Sequence, residues 1–378
     1  MVTLEDRIAL LLAIKEEGKA VTFEHIFDKV RRDVEFAEKR RIEREELEGA
    51  LDNLLKKGLI RKVNGDYAPE HSIDEYVGKL VKDFHDRLNR SYRLVWLAKM
   101  HYPRVAKLIL PFLKDRAVSA VKVFSGKDDP IHGLDVIFIR YVKYKPKPVF
   151  LMIDSEERLM QYVFDHCVDF IPYVHRLDSN EPDTFVVDID AGEEILKGER
   201  AFQFIKRVTY ELVELLFEHD IHPMIKFSGS RGFQIWARFD NSDLRLKGDV
   251  FKAYREVAII LQKKLEERLQ SKIGELQSLF PDFIRKDRAI TTSTVAHKRE
   301  RAHQILIDWS ALKPMGDVRA PYSIHYKTGL VSLPLRPDRF ETFSIEEAHP
   351  MNVWEKLEYY KGAESLPLSN PKRLLSNI

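Results

Sequence analysis

The chain has 378 residues, with 62 Lys and Arg against 60 Asp and Glu, a formal net charge of +2, and a single cysteine, Cys167. That length suits two or three domains of ~100–200 residues, and the apolar content is that of packed cores rather than of a disordered chain. The near-neutral balance excludes a surface coated in basic charge, the lone cysteine excludes an intramolecular disulfide or a Cys-based zinc knuckle, and no run of ~18 apolar residues is present to span a membrane. Met1-Val2-Thr3-Leu4-Glu5-Asp6 lacks the basic-then-apolar layout of a secretion signal, so a soluble, cytoplasmic protein is expected. Dense charge of both signs leans towards a thermophilic source. Basic charge gathers locally at Lys29-Val30-Arg31-Arg32 with Lys39-Arg40-Arg41, from Arg140 to Lys147, and from Arg285 to Arg301.

In chain order, residues 4–17, 23–30 and 43–57 read as helices. Gly58 stops the third, and residues 59–63 run into Asn64-Gly65, the strongest short hairpin signal. Three helices and a hairpin predict a winged-helix module over residues 1–70. Its third helix is a poor reader of the major groove, because Glu43, Glu45, Glu46, Glu48 and Asp52 outnumber Arg44, Lys56 and Lys57 and would repel phosphates. The wing, the 29–41 stretch, or docking of a replication or repair protein remain as its uses.

Residues 73–89 and 92–107 predict helices within a connector over 71–120. Strands follow over 134–141 and 149–153, set off by Pro130, Pro146 and Pro148, then a helix over 156–166 and a strand over 185–190. An amphipathic helix over 201–219, a strand–turn–strand over 224–239, a helix over 250–270 and a strand over 304–308 complete the pattern. Alternation without repeats predicts an α+β fold, with an α/β core over 121–345 and a tail over 346–378.

Three segments carry chemistry. Asp188 and Asp190 end the apolar run Phe185-Val186-Val187-Asp188-Ile189-Asp190. Residues i and i+2 of a strand share a face, so both carboxylates aim at one point while Phe185, Val187 and Ile189 pack the other way. Crowded carboxylates repel unless a cation sits between them or one takes a proton, and oxygen ligands suit Mg²⁺ or Mn²⁺. The second segment is the turn Ser228-Gly229-Ser230-Arg231-Gly232, whose amides, hydroxyls and guanidinium suit a phosphate. An ordinary hairpin with a basic tip has the same sequence. Beyond it Gln234, Trp236 and Arg238 share a face, and Trp236, like Tyr322, serves core packing more readily than base stacking. The third is the strand ending in Asp308, followed by Arg319, Ser323, His325 and Lys327, a concentrated set of phosphate donors. Cys167 with His166 and His175 matches no standard zinc spacing and reads as a buried cysteine.

The order of these signals resembles the archaeo-eukaryotic primase superfamily. Asp188-x-Asp190, then Ser228-Gly-Ser-Arg-Gly, then Asp308 with Arg319-Ala-Pro-Tyr-Ser-x-His-x-Lys-Thr-Gly-Leu, match its motifs over roughly residues 146–340. The ending looks like archaeal primase small subunits, and the lead-in Glu181-Pro182-Asp183-Thr184 looks like the polymerase domain of bacterial end-joining DNA ligases. The resemblance implies two divalent ions, Mg²⁺ or Mn²⁺, on Asp188, Asp190 and Asp308, with no zinc. It also implies an incoming triphosphate bound by Ser228, Ser230, Arg231, Gln234, Arg319, Ser323, His325 and Lys327.

Three departures stand out. The second motif usually ends in His where this chain has Gln234. End-joining relatives usually carry Gln where Ala311 stands, and the zinc knuckle frequent in primases is missing. The expected function is a template-dependent nucleotidyltransferase, a DNA primase or polymerase acting on DNA template or primer and nucleoside triphosphates. The alternative is a primase-like accessory protein that binds nucleic acid without turnover.

Overall fold

The computed structural model describes residues 1–245, 248–285, 287–293 and 301–375. Its first elements are helices α1 (Leu4–Ala13), α2 (Phe23–Glu38) and α3 (Arg44–Lys56), strands β1 (Ile60–Val63) and β2 (Asp66–Pro69), and helices α4 (Ile73–Phe84) and α5 (Arg90–Leu113). Strands β3 (Val118–Ser125), β4 (Leu134–Ile139), β5 (Tyr141–Lys143) and β6 (Val149–Phe150) lead to helix α6 (Glu156–Phe164) and strands β7 (Cys167–Pro172) and β8 (Phe185–Ala191). Then come α7 (Glu193–Leu196), α8 (Ala201–Glu218), β9 (Met224–Phe227), β10 (Phe233–Phe239), α9 (Ser242–Arg245) and α10 (Val250–Ser271). Strands β11 (Thr291–Ser293), β12 (Ile305–Asp308), β13 (Pro334–Leu335) and β14 (Leu368–Ser369) follow, with short helical turns between them. The fold is α+β. Contacts divide the chain into one unit of residues 1–106, 120–139 and 155–169, and another of 107–119, 140–154 and everything from 170 onward.

In the first unit, α1 starts on a reciprocal cap: the Thr3 amide donates to Asp6 at 2.7 Å and the Asp6 amide to Thr3 Oγ1 at 3.2 Å. Ile8, Ala9, Leu10, Leu11, Leu12 and Ala13 are all buried, which makes α1 the central helix of its unit. Helix α2 runs on to Glu38, well past the expected end at 30, because Val30, Asp33 and Val34 continue its buried stripe; Lys39, left-handed at φ 56°, stops it. Asn64 and Gly65 both have positive φ, 52° and 91°, as a type I′ turn requires. The helix expected over 73–89 ends at Phe84, and a single 3₁₀ turn, His85–Arg87, follows.

Much of the charge predicted around α2 and α3 is spent internally. Arg40 bridges Glu46 at 3.0 Å, Arg44 pairs with Glu24, and Arg32 donates to the carbonyls of Gly126 and Lys127 at 2.7 and 3.2 Å. Strands β4, β3 and β7 form a three-stranded sheet, and the Tyr102 hydroxyl donates to the Val168 carbonyl at 2.7 Å. Cys167 is fully buried, and burial pushes its thiol up to about 12, the opposite of what a thiolate ligand needs.

The second unit is built on a seven-stranded sheet ordered β11-β12-β8-β10-β9-β13, with β14 parallel to β10. Helix α8 packs on β8 and β10, and α10 packs on α8. Phe204, Val208 and Leu212 of α8 and Phe185, Val187 and Ile189 of β8 are all at most 1% exposed. Each such side chain adds roughly 1.5–3 kcal/mol of burial. Trp236 packs with Val174, Val186, Met224 and Phe251, and Tyr322 is fully buried, so both serve the core.

Arg140, first of its basic run, is tied to Asp317 at 3.1 Å. In the 285–301 run, Arg285 and Arg288 line a cavity of about 250 Å³ with Lys197 and His303. Lys286, Lys298 and Arg299 lie outside the described residues. Among the described residues no helix is long and apolar enough to cross a membrane.

Candidate active site

Strand β8 lies between β12 and β10, and the registers set Asp188 opposite Asp308 on one side and opposite Gln234 on the other. Gln234 in turn faces Lys226 of β9. One row therefore crosses four strands as Asp308, Asp188, Gln234 and Lys226, with directly opposed side chains close enough to interact. Asp190 lies two residues along β8, on the same face.

The row is electrostatically crowded. The Asp188 carboxyl is pushed up to about 7, by desolvation first and then by the charges of Asp190 and Asp308. The charge of Lys226 and a hydrogen bond from the Gln234 side chain pull the other way. Gln234 is only 4% exposed, and its Oε1 has no hydrogen-bond partner. The side chain predicted to meet phosphate is thus placed beneath the surface, beside Asp188.

Lys226 is a site residue that the sequence reading missed. It is wholly buried; its Nζ donates to the Arg319 carbonyl at 2.7 Å and to Ser332 Oγ at 2.6 Å, and lies 5.1 Å from the Trp236 ring centroid. A buried ammonium is tolerated only with such partners. A signal was present in the sequence: a lysine inside the apolar run Met224-Ile225-Lys226-Phe227, directly before the glycine turn.

The turn from Ser228 to Gly232 caps the row. Ser228 Oγ accepts from the amides of Ser230 at 3.3 Å and Gly232 at 3.4 Å, so its lone pairs organise the turn itself. Gly229 sits at φ +84°, and a Cβ on Gly232 would stand 2.2 Å from the Ile189 carbonyl oxygen, so the turn can press onto β8 only with glycine there. Arg231 is exposed, and its Nε donates to both Asp190 oxygens at 3.1 and 3.0 Å.

The segment after Asp308 returns to this turn. Arg319 donates to the Ser228 carbonyl at 3.2 Å and Thr328 to the Gly229 carbonyl, while a Cβ on Gly229 would be 3.0 Å from that of His325. His325 Nδ1 accepts from the Lys327 amide at 3.0 Å, and its ring stacks on Tyr326. Lys327 is exposed. Ser323 is fully buried, and its Oγ accepts from the Phe170 amide at 2.8 Å, which anchors the loop to β7. The structure thus brings Ser228, Ser230, Arg231, Arg319, His325 and Lys327 around one turn, with Ser323 and Gln234 beneath them.

Three carboxylates without a thiolate or imidazole are a donor set for Mg²⁺ or Mn²⁺. Among the described residues no group of three or more His, Cys, Asp or Glu is arranged as a ready-made ion cage. The Arg231 guanidinium supplies positive charge to Asp190 instead. The chemistry of the donors fits a divalent ion, with that contact to be exchanged.

A family model described as LigD, primase-polymerase domain, matches residues 98–359. Among solved structures, the polymerase domain of Mycobacterium tuberculosis Ligase D in complex with DNA is similar at 18% identity and a TM-score of 0.49, over 71% of this chain and 92% of that one. No curated protein matches. The family match spans more than half of the chain, which therefore belongs to the LigD primase-polymerase domain family, nucleotidyltransferase-type polymerases of the archaeo-eukaryotic primase-like superfamily.

Proposed function

We propose that the protein is a template-dependent DNA primase or polymerase that adds NTPs or dNTPs to a nucleic-acid 3′ end. The observation that carries this reading is the row of Asp308, Asp188, Gln234 and Lys226 beneath a glycine turn that bears Arg231. Asp188, Asp190 and Asp308 would hold two divalent ions, which supply activation of a 3′-hydroxyl and charge stabilisation of the leaving pyrophosphate.

The chain's own groups do the rest. Arg231, more than half exposed, is free to leave Asp190 and meet a triphosphate, where its guanidinium binds oxygens in pairs. Ser230, Arg319, His325 and Lys327 would complete the anion-binding cradle, with Ser228 and Ser323 holding its shape. Gln234 would orient Asp188, and Lys226 would balance the negative row from below. Residues 1–70 would act as a winged-helix module and 71–120 as its connector. Residues 121–345 would form the catalytic domain and 346–378 a tail. DNA would be the template or primer, and a replication or repair protein would dock through the N-terminal module.

Labelled-nucleotide incorporation tests this. Purified protein with Mg²⁺ or Mn²⁺ is given a bare single strand, a primed template and a 5′-phosphorylated gap, beside an Asp188→Ala/Asp190→Ala variant. Incorporation by the wild type alone is expected, and the preferred strand chooses between priming and gap filling. Silence on all three strands from protein that still binds DNA would replace this reading with the accessory binder.

A further inference from the structure

Tyr322 has two features that core packing alone does not require. Its backbone is left-handed, at φ +66°, a conformation that costs a bulky residue and persists only where the surroundings enforce it. Its side chain is fully buried, and its hydroxyl donates to Glu364 Oε2 at 2.9 Å and lies 3.1 Å from the Tyr360 carbonyl oxygen. A hydrogen bond to a carboxylate is shorter and stronger than one to a neutral oxygen, so this contact fixes the ring firmly.

Tyr322 stands at the root of the loop that bears the phosphate donors. Its amide donates to the Ser332 carbonyl at 2.6 Å, the Ser332 amide to the Ser323 carbonyl at 2.7 Å, and the His325 amide to the Leu330 carbonyl at 2.8 Å. Residues 322–332 are thus folded back on themselves as one arm. His325 and Lys327 lie along it, and Thr328 near its tip donates to the Gly229 carbonyl of the glycine turn. A rotation at the root is magnified at the tip. The root also reaches the acid row, because Ser332 Oγ accepts from Lys226, which faces Gln234 across β9 and β10.

Glu364 belongs to the C-terminal tail. Beyond it the tail joins β10 as β14, with Leu368 beside Arg238 and Ser369 beside Phe239. Strand β10 starts directly after the glycine turn. One segment is therefore anchored both on the strand that leaves the turn and on the loop that returns to it.

We propose that Glu364 is a positioning residue for nucleotide binding: by holding the Tyr322 hydroxyl it fixes the left-handed root of the 322–332 arm, and with it the placement of His325 and Lys327 at the glycine turn. Glu364 itself touches no substrate. The inference rests on the reading of this site as one for a nucleoside triphosphate. The contact needs an acceptor rather than a charge, so glutamine can replace Glu364 and alanine cannot. Its loss falls on nucleotide affinity, because the acids keep their places on β8 and β12.

The test measures KM and kcat for ATP and dATP on a primed thymidine template, with binding of the same nucleotides followed by calorimetry in Mg²⁺ without any strand. Glu364→Ala and Tyr322→Phe are each expected to raise KM and Kd about 5-fold while kcat changes less than ~2-fold, the pattern of lost uniform binding. Glu364→Gln stays within ~2-fold of wild type, and the Glu364→Ala/Tyr322→Phe double variant is no worse than the worse single one, as the two ends of one contact require. A general loss of packing would show neither the rescue nor the non-additivity. Unchanged KM and Kd in both single variants overturn the inference, as does an additive double variant or a glutamine variant as weak as the alanine one. Where wild type binds nucleotide without incorporating it, the Kd series decides by itself. Wild type that neither binds nor incorporates nucleotide overturns the reading of the site, and this inference with it.

Discussion

Lys226 has no water to fall back on. Its ammonium is enclosed by the Arg319 carbonyl, Ser332 Oγ and the Trp236 ring, and its charge is felt by Asp188. Lys226→Met would strand two buried acceptors and leave the acid row without its internal countercharge. A loss of about 2–3 kcal/mol in urea unfolding is expected, together with a fall in incorporation. Arg231 is the contrasting case, because it is exposed and replaceable. Arg231→Gln should change stability by less than ~0.5 kcal/mol in metal-free buffer and weaken nucleotide affinity about 10-fold. Nucleotide titration followed by thermal shift separates the two effects. An equal loss of stability in both variants would mean that the Asp190–Arg231 pair is structural.

At the scale of elements, the site depends on how closely a turn approaches a strand. Gly232 touches the β8 backbone so tightly that Gly232→Ala would drive a Cβ into the Ile189 carbonyl, 2.2 Å away. Either the turn lifts or β8 shifts, and the row loses its register. A destabilisation of about 3 kcal/mol or more is expected, with loss of metal-dependent incorporation even where protein is recovered folded. The β1–β2 hairpin has room where that turn has none. Gly65 has φ +91° and no atom within 4 Å of the place a Cβ would take, so Gly65→Ala should cost only about 1 kcal/mol of backbone strain in denaturant unfolding. The difference between the two glycines lies in their neighbours, since both stand at turns flagged by the same residue type.

For the whole molecule, Asp33 sets a pH dependence. Burial raises its carboxyl to about 6, against the hydrogen bond from Asn89 and the charges of Arg7, Arg32 and Lys29. Between its ordinary value of 3.8 and about 6 the folded chain keeps a proton that the unfolded chain has released. Its contribution is therefore fully present below the lower value and is lost as pH rises through the upper one. A rise of that size corresponds to roughly 3 kcal/mol at most. Asp33→Asn should flatten the change in urea midpoint between about pH 4 and pH 6.5, and an unchanged slope would assign the titration to other groups.

The sequence by itself determined most element types, because helical spacing, strand alternation and the Asn64-Gly65 turn are written in neighbouring residues, but strands β3 and β7 were not read from it. It also determined the three acids and the Ser228–Gly232 turn, since i and i+2 on a strand share a face whatever surrounds them. Only the tertiary structure decided which groups meet. Asp188 faces Asp308 across more than a hundred residues of chain because strand register, not sequence distance, sets the pairing. The same register put Gln234 against Asp188 and made Lys226 part of the row, while a backbone amide of β7 claimed Ser323. Whether a polar side chain reaches solvent or holds another in place depends on partners that arrive from distant segments, and local spacing cannot carry that information.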